Sequence, residues 1–118
     1  MNAKTGAVYL ARQLEDYGVT HVFMVPAILR RTLVEMEMLT SINRLHVHSE
    51  KTAVYMADGF ARAAGRPAIC MAQVIGALNI AAGLREPFLA SSPVIAFTGG
   101  RLPETKFRHV YQEVDDVP

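Results

Sequence analysis

The feature that most constrains this chain is an alternation. Short runs rich in branched and apolar residues recur about every two dozen residues, and stretches of helical character separate them. The runs are "HVFMV" (21–25), "RLHVH" (44–48), "AICMAQ" (68–73) and "SPVIAFTG" (92–99). Between them lie "ILRRTLVEMEM", with Leu29, Leu33 and Val34 expected inward, the small-residue stretch from Thr52 to Gly65, and "GALNIAAGLREPFL". Strands joined through helices need crossover connections, so they pair in parallel and the helices cover the two faces of the sheet. The expected fold class is therefore α/β, a three-layer α/β/α arrangement around a parallel sheet of about four strands. A doubly wound sheet commonly carries about five or six. The chain is accordingly expected to be one domain, 1–118, incomplete at its C-terminus, with an apolar edge left for a partner.

Local signals mark the helix ends. Thr5 can cap a first helix carrying Val8, Leu10, Ala11, Leu14 and Tyr17 at helical spacing, and Gly18 supplies a left-handed stop. Gly65 ends the third helix, and Pro87 implies a kink or an early end in the fourth.

Composition narrows the function classes. With 118 residues the chain can bury one real core, and 12 Lys plus Arg against 11 Asp plus Glu create no field that would draw it to nucleic acid or an anionic membrane. The single cysteine, Cys70 within "AICMA", excludes an internal disulfide and reads as buried packing. "MNAKTGAVYLARQLEDYG" lacks the apolar core of a signal peptide, and no window reaches the ~18 apolar residues of a membrane span. A cytoplasmic protein is expected.

In parallel α/β sheets, ligands gather at the carboxyl ends of the strands. Here that rim comprises Val25-Pro26, His48-Ser49-Glu50, Gln73 to Gly76, and Thr98-Gly99-Gly100. Glu50 follows a plausible cap, Ser49, at the start of a helix whose only charged groups from Thr52 onward are Asp58 and Arg62, at i, i+4. One reading is structural, since a first-turn carboxylate gains a few tenths to about 1 kcal/mol from the helix dipole. The other is a carboxylate placed for chemistry. His46 and His48, taken to face one side of their strand, offer a metal pair with Glu50 but no closed ligand set, so no metal site is assigned. The "TGG" at 98–100 lacks the rest of a phosphate-binding fingerprint and reads as a turn.

The stretch "EKTAVYMADGFARAAGRP" resembles the glutamate-helix motif of thiamine-diphosphate enzymes, H-E-x-x-A-x-x-M-A-D-G-Y-A-R-x-x-G-x-P. The likeness continues along nearly the whole chain. "VFMVP" resembles their V-F-G-V-P, "AQVIGALNIAAGL" their T-S-G-P-G-A-T-N segment, "SSPVIAFTGG" their S-S-P-V-V-x-I-T-G, and "YQEVDDV" their F-Q-E-V-D. The chain is thus similar to the N-terminal pyrimidine-binding (PYR) domain of the acetolactate synthase group. It departs from the pattern in having Val74-Ile75-Gly76 for Gly-Pro-Gly and Ala72-Gln73 for Thr-Ser, no glycine after Val25-Pro26, and Ser49 between His48 and the glutamate.

The resemblance implies that Glu50 is the catalytic residue, hydrogen-bonding N1′ of the thiamine diphosphate aminopyrimidine and promoting the tautomer that takes the proton from thiazolium C2. It implies Val25, Pro26, Gly76 and Asn79 as cofactor-binding residues and Tyr111 and Gln112 as neighbours of a 2-oxo acid substrate. It implies decarboxylation and carboligation, a homo-oligomer, Mg²⁺ and diphosphate held by a separate C-terminal (PP-type) domain in cis or in trans, FAD as a possibility in the parent enzyme, and an isolated chain without activity. Small residues at Ala53, Ala57, Gly59 and Ala61 are expected to receive a second subunit. A non-catalytic α/β assembly or binding module derived from the same fold is the alternative, favoured by Val74-Ile75.

Overall fold

The computed structural model describes residues 5–26, 29–100, 102–105, 108, 110 and 111. Four strands, β1 (His21–Met24), β2 (Asn43–His46), β3 (Ala68–Ala72) and β4 (Val94–Thr98), alternate with four helices, α1 (Gly6–Asp16), α2 (Arg30–Leu39), α3 (Glu50–Ala64) and α4 (Gly76–Leu89). A 3-10 turn, Pro103–Thr105, follows. The strands form one sheet in the order β2-β1-β3-β4, and every pairing is parallel. The expected three-layer α/β/α fold is observed. Because the chain goes from β1 outward to β2 and then returns across β1 to β3, the order reverses between β1 and β3, which opens the crevice where such sheets take ligands.

Side-chain alternation sorts the core into two layers. Val22, Met24, Ile69 and Met71 face α1 and α2, where Ala11, Leu14, Met36 and Ile42 complete a buried cluster. Phe23, Cys70 and Ala72 face α3 and α4, where Ala53, Val54, Ala57, Ala61 and Ile80 close the other. All five residues of β3 are buried, as a central strand covered on both faces requires.

Thr5 caps α1 by accepting from the Val8 N–H at 3.4 Å, and Gly18 (φ 78°) and Gly65 (φ 63°) supply left-handed turns after α1 and α3. Four expectations need correction. In α2 the inward face is Leu29, Thr32, Leu33 and Met36, while Val34 is 56% exposed, because a step of one residue from Leu33 turns the side chain about 100° away. The strand read as 44–48 ends at His46; Val47 still donates to the Met24 carbonyl (2.9 Å), and His48 lies in a bend, so His46 and His48 do not share a strand face. Helix α4 does not end early at Pro87: it continues to Leu89, and Ala90 N–H bonds the Glu86 carbonyl at 3.0 Å. Pro87 forfeits the one bond its own N–H would give the Gly83 carbonyl, and the residues after it still bond back into the helix.

The fourth correction concerns the small residues of α3. Ala53, Ala57 and Ala61 are buried within the chain against its own sheet and α4 rather than kept for a second subunit. Of the four named, only Gly59 faces outward, with open space where a Cβ would stand.

Candidate functional site

Helix α3 begins where it does because Ser49, in extended conformation (φ −153°, ψ 153°), turns its Oγ onto the Thr52 N–H at 3.2 Å. That cap fixes Glu50 as the first helical residue. From there its side chain reaches the first turn of α4. Asn79 Nδ2 donates to Glu50 Oε2 at 3.0 Å, and Gly76 lies directly beneath the carboxylate. A Cβ added to Gly76 would stand 2.6 Å from Oε1 and 2.9 Å from both Cδ and Cγ of Glu50. Oε1 accepts no hydrogen bond among the described residues. The arrangement is a carboxylate at the positive ends of two helices, one oxygen held and the other open.

The two helices can share one carboxylate because they lie side by side with their N-terminal ends together. Gly83 of α4 meets α3 so closely that an added Cβ would be 3.0 Å from Val54 Cβ and 3.4 Å from the Lys51 backbone Cα. Farther along, the buried Asp58 receives hydrogen bonds from Arg62, Nη2 to Oδ2 at 2.8 Å and Nε to Oδ1 at 2.9 Å, and Arg62 also reaches Glu86 of α4 at 3.8 Å. The hydrogen bond from Arg62 holds the Asp58 carboxyl below the usual carboxylate range.

The residues expected at the site are thus placed unevenly. Glu50, Gly76 and Asn79 come together. Val25 and Pro26 occupy the same rim at the end of β1, where Val25 N–H donates to the Met71 carbonyl of β3 at 3.4 Å; Val25 is half-buried and Pro26 exposed. Val74 is buried and Ile75 partly exposed at the entry to α4. Tyr111 lies in a turn and is 87% exposed, with no hydrogen bond to Glu50 among the described residues. Gln112 is outside the described residues. An open depression of about 920 Å³ between the N-terminal ends of α1 and α2, lined by Thr5, Leu29 and Arg30, contains none of these groups.

Among the described residues no three His, Cys, Asp or Glu side chains are grouped to hold a metal ion. Cys70 is fully buried, and burial pushes its thiol up to about 12, which makes it inert packing. No described helix is long and apolar enough to cross a membrane. The role of Gly76 as clearance for Glu50 was not readable in the sequence. A glycine opening a helix has many local explanations, and only the fold brings residue 50 against it.

Comparison with known proteins finds relatives along nearly the whole chain. Acetolactate synthase from Arthrospira platensis is 33% identical over 117 residues, which cover 94% of this chain and 20% of that protein. The chloroplastic acetolactate synthase of Arabidopsis thaliana is 29% identical over 137 residues, covering 98% of this chain and 20% of that protein. Among solved structures, the X-ray structure of a protein assigned to thiamin diphosphate-dependent enzymes, isolated from Mycobacterium smegmatis, superposes with a TM-score of 0.79 at 25% identity, over 93% of this chain and 22% of the other. The chain therefore spans about one fifth of the length of the relatives it matches. The family described as thiamine pyrophosphate enzyme, N-terminal TPP binding domain, matches residues 4–118, and the chain belongs to that family.

Proposed function

We propose that this chain is a single PYR-type domain, 1–118, supplying the pyrimidine-binding half of a thiamine-diphosphate-dependent enzyme. The enzyme acts on 2-oxo acids by decarboxylation and carboligation, in the manner of acetolactate synthases. One observation carries the reading: a carboxylate on the ligand-binding rim of a parallel sheet, with Oε2 held by Asn79 and Oε1 open. A merely structural first-turn acid has no need of a second helix shaped around it. When bound, thiamine diphosphate supplies an electron sink for loss of carbon dioxide from a 2-oxo acid. Glu50 would hold and exchange a proton at its open oxygen Oε1, the general acid-base role that the bound aminopyrimidine would require.

Val25 and Pro26 on the same rim, with Gly76 and Asn79 at the carboxylate, form the protein side of the pyrimidine site. Tyr111 and Gln112 border the substrate. Mg²⁺ and the diphosphate would be held by a PP-type domain, in cis or in trans, as the resemblance to acetolactate synthases implies. The assembly is a homo-oligomer in the cytoplasm, and FAD belongs, where used, to the parent enzyme.

The test is Glu50→Gln in an assembly that includes the diphosphate-binding domain. This substitution keeps shape and hydrogen-bonding capacity and removes the exchangeable carboxyl proton. Thiazolium C2 hydrogen-deuterium exchange is expected to fall by roughly 10²- to 10⁴-fold with the melting temperature unchanged. Exchange equal to wild type would overturn the catalytic assignment and leave the assembly-module reading standing.

A further inference from the structure

We propose that Gly76 and Asn79 are positioning residues whose contribution is made through Glu50, by fixing which way its carboxylate faces. Backbone conformation requires neither of them where it stands. Gly76 is the first residue of α4 and does not have a positive φ, so backbone freedom does not call for glycine. Glycine and asparagine are both unfavourable inside a helix compared with alanine, yet they stand three residues apart in the first turns of α4, on neighbouring positions of one face.

Glu50 accounts for both. The space that a Cβ on residue 76 would fill is occupied by Oε1, Cδ and Cγ of Glu50, so this side-chain conformation exists only with glycine there. The amide of Asn79 then holds Oε2 at 3.0 Å, leaving Oε1 as the open oxygen. One residue permits the conformation and the other selects it. The geometry stands by itself, and only its consequence for catalysis rests on the reading of Glu50 as the acid-base group.

Gly76→Ala separates position from stability. The atoms in the way belong to a flexible, half-exposed side chain, so Glu50 can swing aside while the fold survives and the helix gains propensity. The first experiment uses the chain without cofactor and follows the Asn79 side-chain amide protons by NMR through an acid titration. In wild type they are expected to move as the Glu50 carboxyl takes up its proton, and in Glu50→Gln this response is absent. In Gly76→Ala it is expected to disappear with the melting temperature retained. An undiminished response in Gly76→Ala would overturn the proposal. Asn79→Leu, read at the Glu50 carboxyl carbon, repeats the test should Gly76→Ala fail to fold; an unchanged carbon shift and titration there would overturn it equally.

The second experiment is a double-mutant cycle on thiazolium C2 exchange in the assembly with a diphosphate-binding domain. Gly76→Ala and Asn79→Leu are each expected to slow exchange by about tenfold or more when Glu50 is present, and by less than about twofold in Glu50→Gln. Equal losses in both backgrounds would mean direct contact with the cofactor and would overturn the proposal. If Glu50→Gln alone leaves exchange unchanged, the functional reading fails, and the titration decides the positioning role independently.

Discussion

The two helical layers of this domain solve different problems. Between α1, α2 and the sheet, volume is filled by large side chains: Leu14, Met24, Met36, Ile42, Ile69 and Met71 are buried there, with Leu10, Leu29 and Leu33 packed around them. The layer of α3 and α4 also buries Phe23, Val54 and Ile80, but it is richer in alanine, at 53, 57, 61, 68 and 72, and α4 comes against α3 at Gly83. Large flexible residues tolerate small shifts in helix position, whereas small ones bring backbones into contact and fix the spacing. The carboxylate sits at the end of the second kind of contact. A site that depends on an oxygen lying over a bare glycine needs helices that cannot slide, and the layer of small residues supplies that constraint.

Substitutions that treat the two layers alike should therefore give unlike results. The largest loss of stability is expected from Met36→Ala, which empties a fully buried position and should cost roughly 2 to 5 kcal/mol in urea unfolding, depending on how far the layer collapses. The arrangement of Glu50 and Asn79 should survive it. A displaced Asn79 amide signal in Met36→Ala would show that the layers are coupled through the sheet and break the comparison.

Gly83→Ala is the converse experiment. The new methyl would meet the branched Val54 Cβ and a backbone atom of Lys51, neither of which can rotate away, so a loss of roughly 1 to 3 kcal/mol is expected. Gly76→Ala adds the same methyl two turns earlier on the same face of α4 and should cost little stability, because its obstacle is a flexible side chain. Two Gly→Ala changes in one helix thus separate overpacking from repositioning. Equal unfolding midpoints for the two variants would contradict that distinction.

Acid should weaken both layers, and this is the smallest effect. Hydrogen bonds hold two carboxyl groups below their ordinary range: Arg62 at Asp58, and the Ser41 backbone N–H (2.6 Å) and then its hydroxyl (2.8 Å) at Glu15. A carboxyl group with a lowered folded value stabilises the fold above its unfolded value, about pH 4 here, and that contribution is lost as pH falls through the folded value. Asp58→Asn and Glu15→Gln should each flatten the acid limb of stability against pH. The change should be greater for Asp58, which is buried, than for the Glu15 contact at the surface. An acid limb that keeps its slope in Asp58→Asn would remove the ion pair from the account of how α3 is held.

The sequence by itself determined what depends on near neighbours. The period of apolar residues separates strand from helix, the crossover requirement makes the sheet parallel, and the caps at Thr5 and Ser49 and the left-handed glycines 18 and 65 are set by the φ and ψ of a few adjacent residues. Glu50 was legible as a rim carboxylate for the same reason. What only the tertiary structure decided depends on residues distant in the chain. Val34 and Met36 are similar in hydrophobicity, and the angle at which α2 meets the sheet chose Met36 for the core. The alanines of α3 fit an external or an internal partner equally well until β3 and α4 are laid against them. Asn79 lies 29 positions from Glu50, and a hydrogen bond across that separation leaves no periodic trace, because it is fixed by the approach of two helices and not by the conformation of either.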